Sequence, residues 1–140
     1  MLIEAMLMMA ADPAAIRCRG VSLTGAVEDY ARRTRAMDIK GVAAFYGNDG
    51  VTVTQQGQLK GSEAIAAFLN GFRGYRVTGE VMRIGSTTAL PGGWRTEGRY
   101  LQSGKAPGGK PYTVHGRFKM EWRCDPRAGW RVRRTETGSD

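Results

Sequence analysis

The sequence has few of the residues that build metal centres, disulfide frameworks and membrane spans. Its 140 residues include two cysteines and one histidine, without the Cys-x-x-Cys or Cys/His spacing of zinc sites. Cys18 and Cys124 are too few for a disulfide framework, so we expect free thiols in a cytoplasmic, reducing setting. No apolar run approaches the roughly 18 residues of a membrane-spanning helix. We therefore expect no bound metal, no cofactor and no membrane partner.

Negative charge is also scarce, and its shortage is confined to one half of the chain. The sequence carries 21 Lys and Arg against 13 Asp and Glu, a formal net charge of +8. Residues 1–70 are neutral, so the whole excess lies in residues 71–140. Such a surface attracts acidic proteins or phosphates, although a solvated strand face is the simpler interpretation. Nucleic acid is disfavoured as a partner, because the aromatic residues alternate with the basic ones and so fall on the opposite strand face.

The first half of the chain is predicted to be helical after an extension. Residues 1–21 are rich in methionine and start without the basic residues of an export signal, so we interpret them as a non-secretory N-terminal extension. Helical periodicity begins near Ser22, and the candidate N-caps are Ser22 and Thr24. Asp38 then caps a short second helix over Ile39–Tyr46, and Ser62 caps a third.

The rest of the chain is rich in β-branched and aromatic residues, punctuated by Gly and Pro turns. Its spacing suits antiparallel hairpins rather than β-α-β units. The sequence predicts one α+β domain over residues 22–137, a cone in which a curved antiparallel sheet wraps around the N-terminal helices, with a frayed tail at 138–140. Gly98 and Gly116 lie mid-strand, where glycine permits a sharp bend. The predicted strands are Val51–Thr54, Tyr75–Ile84, Ser86–Leu90, Trp94–Gln102, Tyr112–Cys124 and Trp130–Thr137.

The strand predicted over Tyr112–Cys124 alternates clearly between apolar and polar residues. With a period of two, its aromatic and apolar side chains share one face, which is therefore buried, and its polar side chains share the other. His115 falls on the outer face beside Arg117. The neighbouring strands are predicted to place Glu80 and Glu97 on outer faces as well.

Several short motifs occur in a distinctive order along residues 22–135. They are Tyr30 with Asp38, Val42–Asp49, Gly61–Ile65, Gly116–Phe118, Trp122 and Gly129–Val132. Together they resemble the nuclear transport factor two-like superfamily, and within it the SnoaL-like and ketosteroid-isomerase-like branch. The resemblance implies a cystatin-like α+β barrel. It does not imply one function, because this fold hosts several kinds of enzyme as well as non-enzymatic binders.

The resemblance allows the chemistry of ketosteroid isomerases to be tested position by position. That family uses a tyrosine on the first helix, and Tyr30 has the matching spacing to Asp38, so Tyr30 is a catalytic candidate. The family's general base matches Thr54, and its second carboxylic acid matches Gly116. Neither residue accepts a proton unaided at neutral pH, so we reject steroid isomerase activity.

Dehydratase-like and cyclase-like members of the superfamily that the sequence resembles use a His/Asp pair in the pocket. His115 is the one histidine of this sequence, and the alternation predicts a surface or interface position for it. A register shifted by one residue makes His115 the best acid–base candidate instead. Whether the chain is an enzyme stays open at this point.

The predicted inner face combines aromatic rings with hydroxyl groups, which suits a flat apolar or aromatic small molecule. We predict a SnoaL-like protein that binds such a ligand, or a weakly specialised isomerase, cyclase or dehydratase without the usual carboxylates. The predicted pocket residues are Tyr30, Tyr46, Thr54, Trp94, Tyr100, Tyr112, Phe118 and Trp122.

The alternative is a non-catalytic interaction module that binds an acidic protein through its basic outer sheet face. The residues of that face are Arg95, Arg99, Arg117, Lys119, Arg131 and Arg133. The resemblance also implies a homodimer that pairs through the same face, although such packing places like charges against each other.

Overall fold

The computed structural model describes residues 11–139, which form three helices and eight strands. The interpretation of residues 1–10 as part of an extension lies outside this range. The helices are α1 (Leu23–Arg35), α2 (Ile39–Ala44) and α3 (Ser62–Asn70). The strands are β1 (Arg17–Cys18), β2 (Val21–Ser22), β3 (Val51–Thr54), β4 (Gly57–Lys60), β5 (Arg76–Leu90), β6 (Gly93–Lys105), β7 (Pro111–Asp125) and β8 (Gly129–Ser139).

Side-chain caps determine where the first two helices begin. The Ser22 hydroxyl accepts a hydrogen bond from the Gly25 amide, and the Asp38 carboxylate accepts one from the Gly41 amide. Each cap satisfies a backbone donor that has no partner within its helix, so both predicted caps are confirmed. The third helix differs from the prediction, because its N-cap is Gly61 and no side chain caps it.

The main sheet has six strands in the order β4-β3-β8-β7-β6-β5. Four of its pairings are antiparallel, but β3 and β8 run parallel, with Val51 opposite Arg134. The sheet is therefore curved and mixed rather than wholly antiparallel, and it stays open at β4 and β5. The α+β class is confirmed. Three details differ from the predicted strands: β4 is an additional strand, β5 is continuous across Gly85, and β8 extends to Ser139.

The alternation predicted along β7 is confirmed by the burial of its side chains. Gly116, Phe118, Met120 and Trp122 are buried, while the residues between them are exposed or half-buried. The buried side chains pack against α1 and α2 in one core. This arrangement leaves the basic residues of β7 on the convex, outer face of the sheet.

Two mid-strand glycines permit close approach of the neighbouring backbone. A Cβ atom on Gly98 would collide with the carbonyl oxygen of Arg83 and lie 2.9 Å from the Phe118 ring. A Cβ atom on Gly116 would collide with the carbonyl oxygen of Gly138. Side chains at these positions would therefore push the strands apart on the concave face.

Cys18 and Cys124 form a disulfide bond, with their Cα atoms 5.6 Å apart. The expectation of two free thiols is therefore wrong. The residues are 106 positions apart in the sequence, and they meet because the β1–β2 hairpin lies against the turn that follows β7. The Arg19 guanidinium stabilises the same contact by donating hydrogen bonds to the carbonyl oxygens of Pro126 and Arg127, at 2.8 and 2.7 Å.

Candidate ligand cavity

A cavity of about 510 Å³ lies between the concave face of the sheet and the helices. Its walls come from α1, α2 and the end of α3 on one side and from β5, β6, β7 and β8 on the other. Most of its lining is apolar. The aromatic members of the wall are Tyr30, Phe72, Tyr75, Tyr100, Tyr112 and Phe118.

A chain of hydroxyl groups runs from the cavity wall into the core. The Tyr30 and Tyr46 hydroxyls lie 2.6 Å apart, and the Tyr46 hydroxyl lies 2.6 Å from Oγ1 of Thr135. Burial raises the pKa of both tyrosines, and the neighbouring Tyr46 raises that of Tyr30 further. Both phenols are therefore neutral near pH 7 and can act as hydrogen-bond donors.

A second polar group projects from β5. Glu80 lines the cavity and is only 7% exposed. Its Oε2 accepts a hydrogen bond from Nε2 of Gln102 at 2.9 Å, and Oε1 of Gln102 accepts one from the Tyr112 hydroxyl at 3.0 Å. Burial raises the pKa of Glu80 to about 7, against the lowering effects of the Gln102 hydrogen bond and the Arg35 charge. Near neutral pH this carboxyl can therefore either donate or accept a proton.

Glu80 corrects the prediction that this side chain lies on the outer face. A β-bulge between Val77 and Gly79 changes the alternation of β5 just before Glu80. Beyond the bulge, Glu80 pairs with Gln102, and Met82 pairs with Tyr100, all on the cavity side. The period-two series Glu80, Met82, Ile84 indicates the inner face for Glu80, because the last two residues are apolar. Glu97 does lie on the outer face, where its carboxylate is 3.7 Å from the Lys119 ammonium.

The structure divides the eight predicted pocket residues into two groups. Tyr30, Tyr100, Tyr112 and Phe118 line the cavity, and Tyr46 lies behind Tyr30. The remaining three residues, which are not part of the cavity wall, are Thr54, Trp94 and Trp122.

These three residues have structural contacts instead. Trp122 is fully buried and donates from Nε1 to Oγ1 of Thr96. Trp94 is half-buried and packs against the core. Thr54 ends β3, and its hydroxyl donates to the Gly57 carbonyl in the turn before β4. Thr54 is not part of the cavity wall, because β3 lies one strand beyond β8, the last strand of that wall.

The outer face of the sheet carries the predicted basic residues and His115. Arg83, Arg99 and Arg117 lie directly opposite one another on β5, β6 and β7. His115 lies opposite Leu101 in the adjacent row, outside the cavity.

Arg131 and Arg133, two further predicted basic residues, donate to backbone carbonyls of their own chain. The Arg131 guanidinium donates to the Ala44 carbonyl, and that of Arg133 donates to the Pro91 carbonyl. Arg95 is half-buried and lies opposite Glu121. Arg83, Arg99 and Arg117 form a continuous basic row across β5, β6 and β7.

Residues 11–139 contain neither a membrane-spanning helix nor a cluster of metal ligands. No helix there is long and apolar enough to cross a bilayer. Within the same residues, no three His, Cys, Asp or Glu side chains are grouped as metal ligands would be.

Comparison with known proteins connects this geometry to solved structures. No protein-family model and no curated protein sequence matches the chain. Aln2 from a Streptomyces species is similar in structure, with a TM-score of 0.70 and 17% identity over 84% of this chain and 88% of that one. A nuclear transport factor 2 (NTF2-like) superfamily protein from Salmonella enterica serovar Typhimurium gives a TM-score of 0.69 and 14% identity, over 84% and 87%.

A third solved structure is similar over almost its whole length. The ketosteroid isomerase-like protein from Erwinia carotovora atroseptica has a TM-score of 0.70 and 16% identity, over 84% of this chain and 94% of that one. The resemblance inferred from the sequence motifs is confirmed at the level of the fold. The chain has the nuclear transport factor two-like fold.

Proposed function

We propose that this protein binds a small, largely apolar, aromatic ligand in the cavity between its helices and its sheet. The observation that carries the proposal is the cavity itself, about 510 Å³ in volume with mostly apolar walls and a few polar groups. Ligand sites in proteins have this size and composition. The polar groups are concentrated at Tyr30 and at Glu80, so a bound molecule is oriented from two sides.

The same cavity would serve a SnoaL-like enzyme of the isomerase, cyclase or dehydratase type. Glu80 supplies a carboxyl that the sequence analysis had not assigned to the pocket, and Tyr30 supplies a neutral hydroxyl. His115 lies outside the cavity and is not needed for this proposal. Binding is the primary proposal, because it needs only the cavity, whereas catalysis also needs a substrate that places a reacting atom beside Glu80.

A cavity-filling substitution tests the proposal. Val114 lines the cavity and is 45% exposed, so Val114→Trp should fill the binding space with little cost to the core. Val81 is a matched control, because it is also 45% exposed but lies in the outer-face row with Leu101 and His115. We expect naphthalene, titrated by fluorescence, to bind wild type and Val81→Trp with similar affinity. Its affinity for Val114→Trp should be at least tenfold lower. Equal binding by the two variants would refute the proposal.

A second candidate function uses the outer face, where three arginines lie in one row across β5, β6 and β7. The three side chains are exposed on one face of the sheet, and their positive charges attract an acidic protein partner. Charge reversal by Arg117→Glu should abolish such binding, which should also weaken steeply with salt. Arg127→Glu, in the turn between β7 and β8, is the control and should leave binding unchanged. Salt-independent binding would contradict this function.

The predicted cytoplasmic location rested on free thiols. The disulfide between Cys18 and Cys124 instead supports an oxidising compartment, where such bonds form and persist.

A further inference from the structure

Glu80 is a buried carboxyl without an ionic partner in the described part of its own chain. It lines the cavity with only 7% of its surface exposed. Among residues 11–139, no Lys or Arg side chain forms an ion pair with it. Arg35, which is exposed, donates at 3.4 Å to the main-chain oxygen of Glu80 rather than to the carboxylate. Because a buried charge without a directly paired partner is costly, a cationic group entering the cavity would supply a closer countercharge than that of Arg35.

Gln102 determines which carboxylate oxygen meets that group. The Tyr112 hydroxyl donates to Oε1 of Gln102, so Nε2 of Gln102 is turned toward Glu80 and donates to its Oε2. Within residues 11–139, Oε1 of Glu80 accepts no hydrogen bond. One oxygen is thus bound to Gln102, and the other has no hydrogen-bond partner among these residues.

The walls around this carboxyl are aromatic. Tyr30, Tyr75, Tyr100, Tyr112 and Phe118 line the same space. The face of an aromatic ring attracts a cation, and desolvation strengthens that attraction. A carboxylate within an aromatic enclosure is the combination that recognises organic ammonium groups.

The other charged residues of the cavity do not oppose a cation. Arg33 is the basic residue of the lining, and its Nε is paired with the Asp29 carboxylate at 3.1 Å. The second acid of the lining, Asp38, is exposed and caps α2. When Glu80 is ionised, the side chains of the lining therefore carry a net negative charge.

We propose that the cavity takes an amine, whose protonated nitrogen pairs with Oε1 of Glu80 while its aromatic or alicyclic body packs on the ring walls. The inference rests on the proposed function and adds the chemical class of the ligand.

The pairing makes binding depend on pH in a definite direction. Burial raises the pKa of Glu80 to about 7, so the carboxylate forms as pH rises through that value. Aliphatic amines titrate near the ~10.4 of lysine and stay protonated over this range. Amine binding therefore strengthens with rising pH, and by linkage the bound amine lowers the pKa of Glu80.

The titratable and charged groups around Glu80 come from three elements and from its own strand. The cavity side holds Tyr30 of α1, Tyr100 of β6 and Tyr112 of β7. The groove between α1 and β5 holds Glu28, Asp29, Arg32, Arg35 and Arg83. The pH dependence of a neutral probe reports any contribution from these groups.

Three probes of nearly equal shape test the inference: tetralin, 1-tetralone and 2-aminotetralin, titrated at pH 5.5 and pH 8.5. We expect 2-aminotetralin to bind wild type roughly tenfold more tightly at pH 8.5 than at pH 5.5, which is the magnitude of one charge-assisted hydrogen bond. The affinity for tetralin should be the same at both pH values. Glu80→Gln should abolish this pH dependence and leave the amine no tighter than tetralin. Glu97→Gln, which alters an exposed outer-face carboxyl, should behave as wild type.

Each contrary outcome identifies what has failed. If tetralin binds but the amine is not preferred at pH 8.5, the amine inference is wrong and the proposed function stands. If 1-tetralone is preferred and tightens as pH falls, Glu80 serves a neutral ligand as a proton donor, and the amine inference is again wrong. If none of the probes binds, the proposed function is overturned together with the inference. The wild-type pH profile decides these cases even if Glu80→Gln does not fold.

Discussion

At the scale of single residues, the Glu80 carboxyl is subject to opposing influences. Burial disfavours its charged form and raises its pKa, whereas the Gln102 amide and the Arg35 charge favour the charged form and lower it. The resulting value of about 7 lies within the physiological range, so small changes in the surroundings alter the charge of the cavity. Gln102 is accordingly a positioning residue, and Tyr112 fixes its orientation.

Replacing the amide of Gln102 should make Glu80 harder to ionise. Gln102→Leu removes the N–H that stabilises the carboxylate, so we expect the pKa of Glu80 to rise by about one unit. Titration of the carboxyl carbon signal by NMR measures the change. Gln58→Leu, on the exposed strand β4, is the control and should leave the titration where it is in wild type. A Glu80 titration that does not move in Gln102→Leu would show that this hydrogen bond has no influence.

The same carboxyl should destabilise the fold at high pH. The pKa of Glu80 rises from an ordinary 4.5 to about 7 on folding, so the folded state holds its proton more tightly than the unfolded state. Stability therefore falls as pH rises between these values, and the full penalty is present above pH 7. Glu80→Gln should stabilise the protein at pH 8 by about 3 kcal/mol, and by little near pH 4.5.

Urea unfolding at the two pH values measures this difference. Glu97→Gln should change stability by no more than about 0.5 kcal/mol at either pH, because that carboxyl is exposed. Equal effects of Glu80→Gln at pH 8 and pH 4.5 would contradict the proposed ionisation.

Sequence reasoning found part of this site because part of it follows a regular period. Tyr100, Tyr112 and Phe118 were predictable, since period-two alternation places them on one face. Glu80 was missed because the bulge at Val77 and Gly79 is a backbone irregularity that composition does not reveal. Thr54 was assigned to the pocket from the family resemblance, and the position of β3 in the sheet removes it.

At the scale of elements, the β1–β2 hairpin depends on long-range contacts for its position. Besides the disulfide, Nε1 of Trp130 donates to the Val21 carbonyl at 2.8 Å. A two-stranded hairpin of this size is not stable alone in water. The hairpin therefore forms as part of the domain, although the predicted boundary placed most of it in an extension.

Removing the disulfide should destabilise the domain without changing ligand binding in the cavity. The bond closes a loop of 106 residues, for which chain entropy gives a stabilisation of about 5 kcal/mol. We expect Cys18→Ser with Cys124→Ser to lose roughly 2–4 kcal/mol of unfolding free energy, typical of this kind of bond, in urea denaturation. Naphthalene affinity should be unchanged, because neither cysteine lines the cavity. Dithiothreitol should lower the stability of wild type but not that of the double variant.

The helices were more predictable than the sheet pairings, for a physical reason. Helix boundaries depend on local signals such as the Ser22 and Asp38 caps, and these are visible in sequence. The parallel pairing of β3 with β8 joins residues about 80 positions apart, Val51 with Arg134 for example, and nothing local encodes it. The disulfide was missed for the same reason, since two lone cysteines carry no information on proximity.

At the scale of the whole molecule, the outer face of the sheet combines two rows with opposite tendencies. Val81, Leu101 and His115 form one row, in which Val81 and Leu101 are each 45% exposed. The arginines on the same three strands form the adjacent row. Apolar contacts favour the homodimer implied by the resemblance, and the like charges oppose it.

The proposed homodimer should therefore strengthen with salt. Light scattering at 50 mM and 500 mM NaCl should show a larger dimer fraction at high salt. The higher salt screens the arginines, because the Debye length falls from roughly 14 to roughly 4 Å. Leu101→Asp should give a monomer at both concentrations. Val114→Asp has the same original exposure on the cavity side and should leave the dimer intact. A wild-type monomer under all conditions would remove the dimer proposal.

The place of β8 in the sheet has a consequence for synthesis. This strand comes last among those described, yet it lies between β3 and β7, so it supplies hydrogen bonds to both. While residues 129–139 are still inside the ribosome, β7 has one unpaired edge. At that stage β3 is paired with β4 but not with β8. The sheet is completed only after those residues emerge, and until then the two unpaired edges are exposed to chaperones or to other nascent chains.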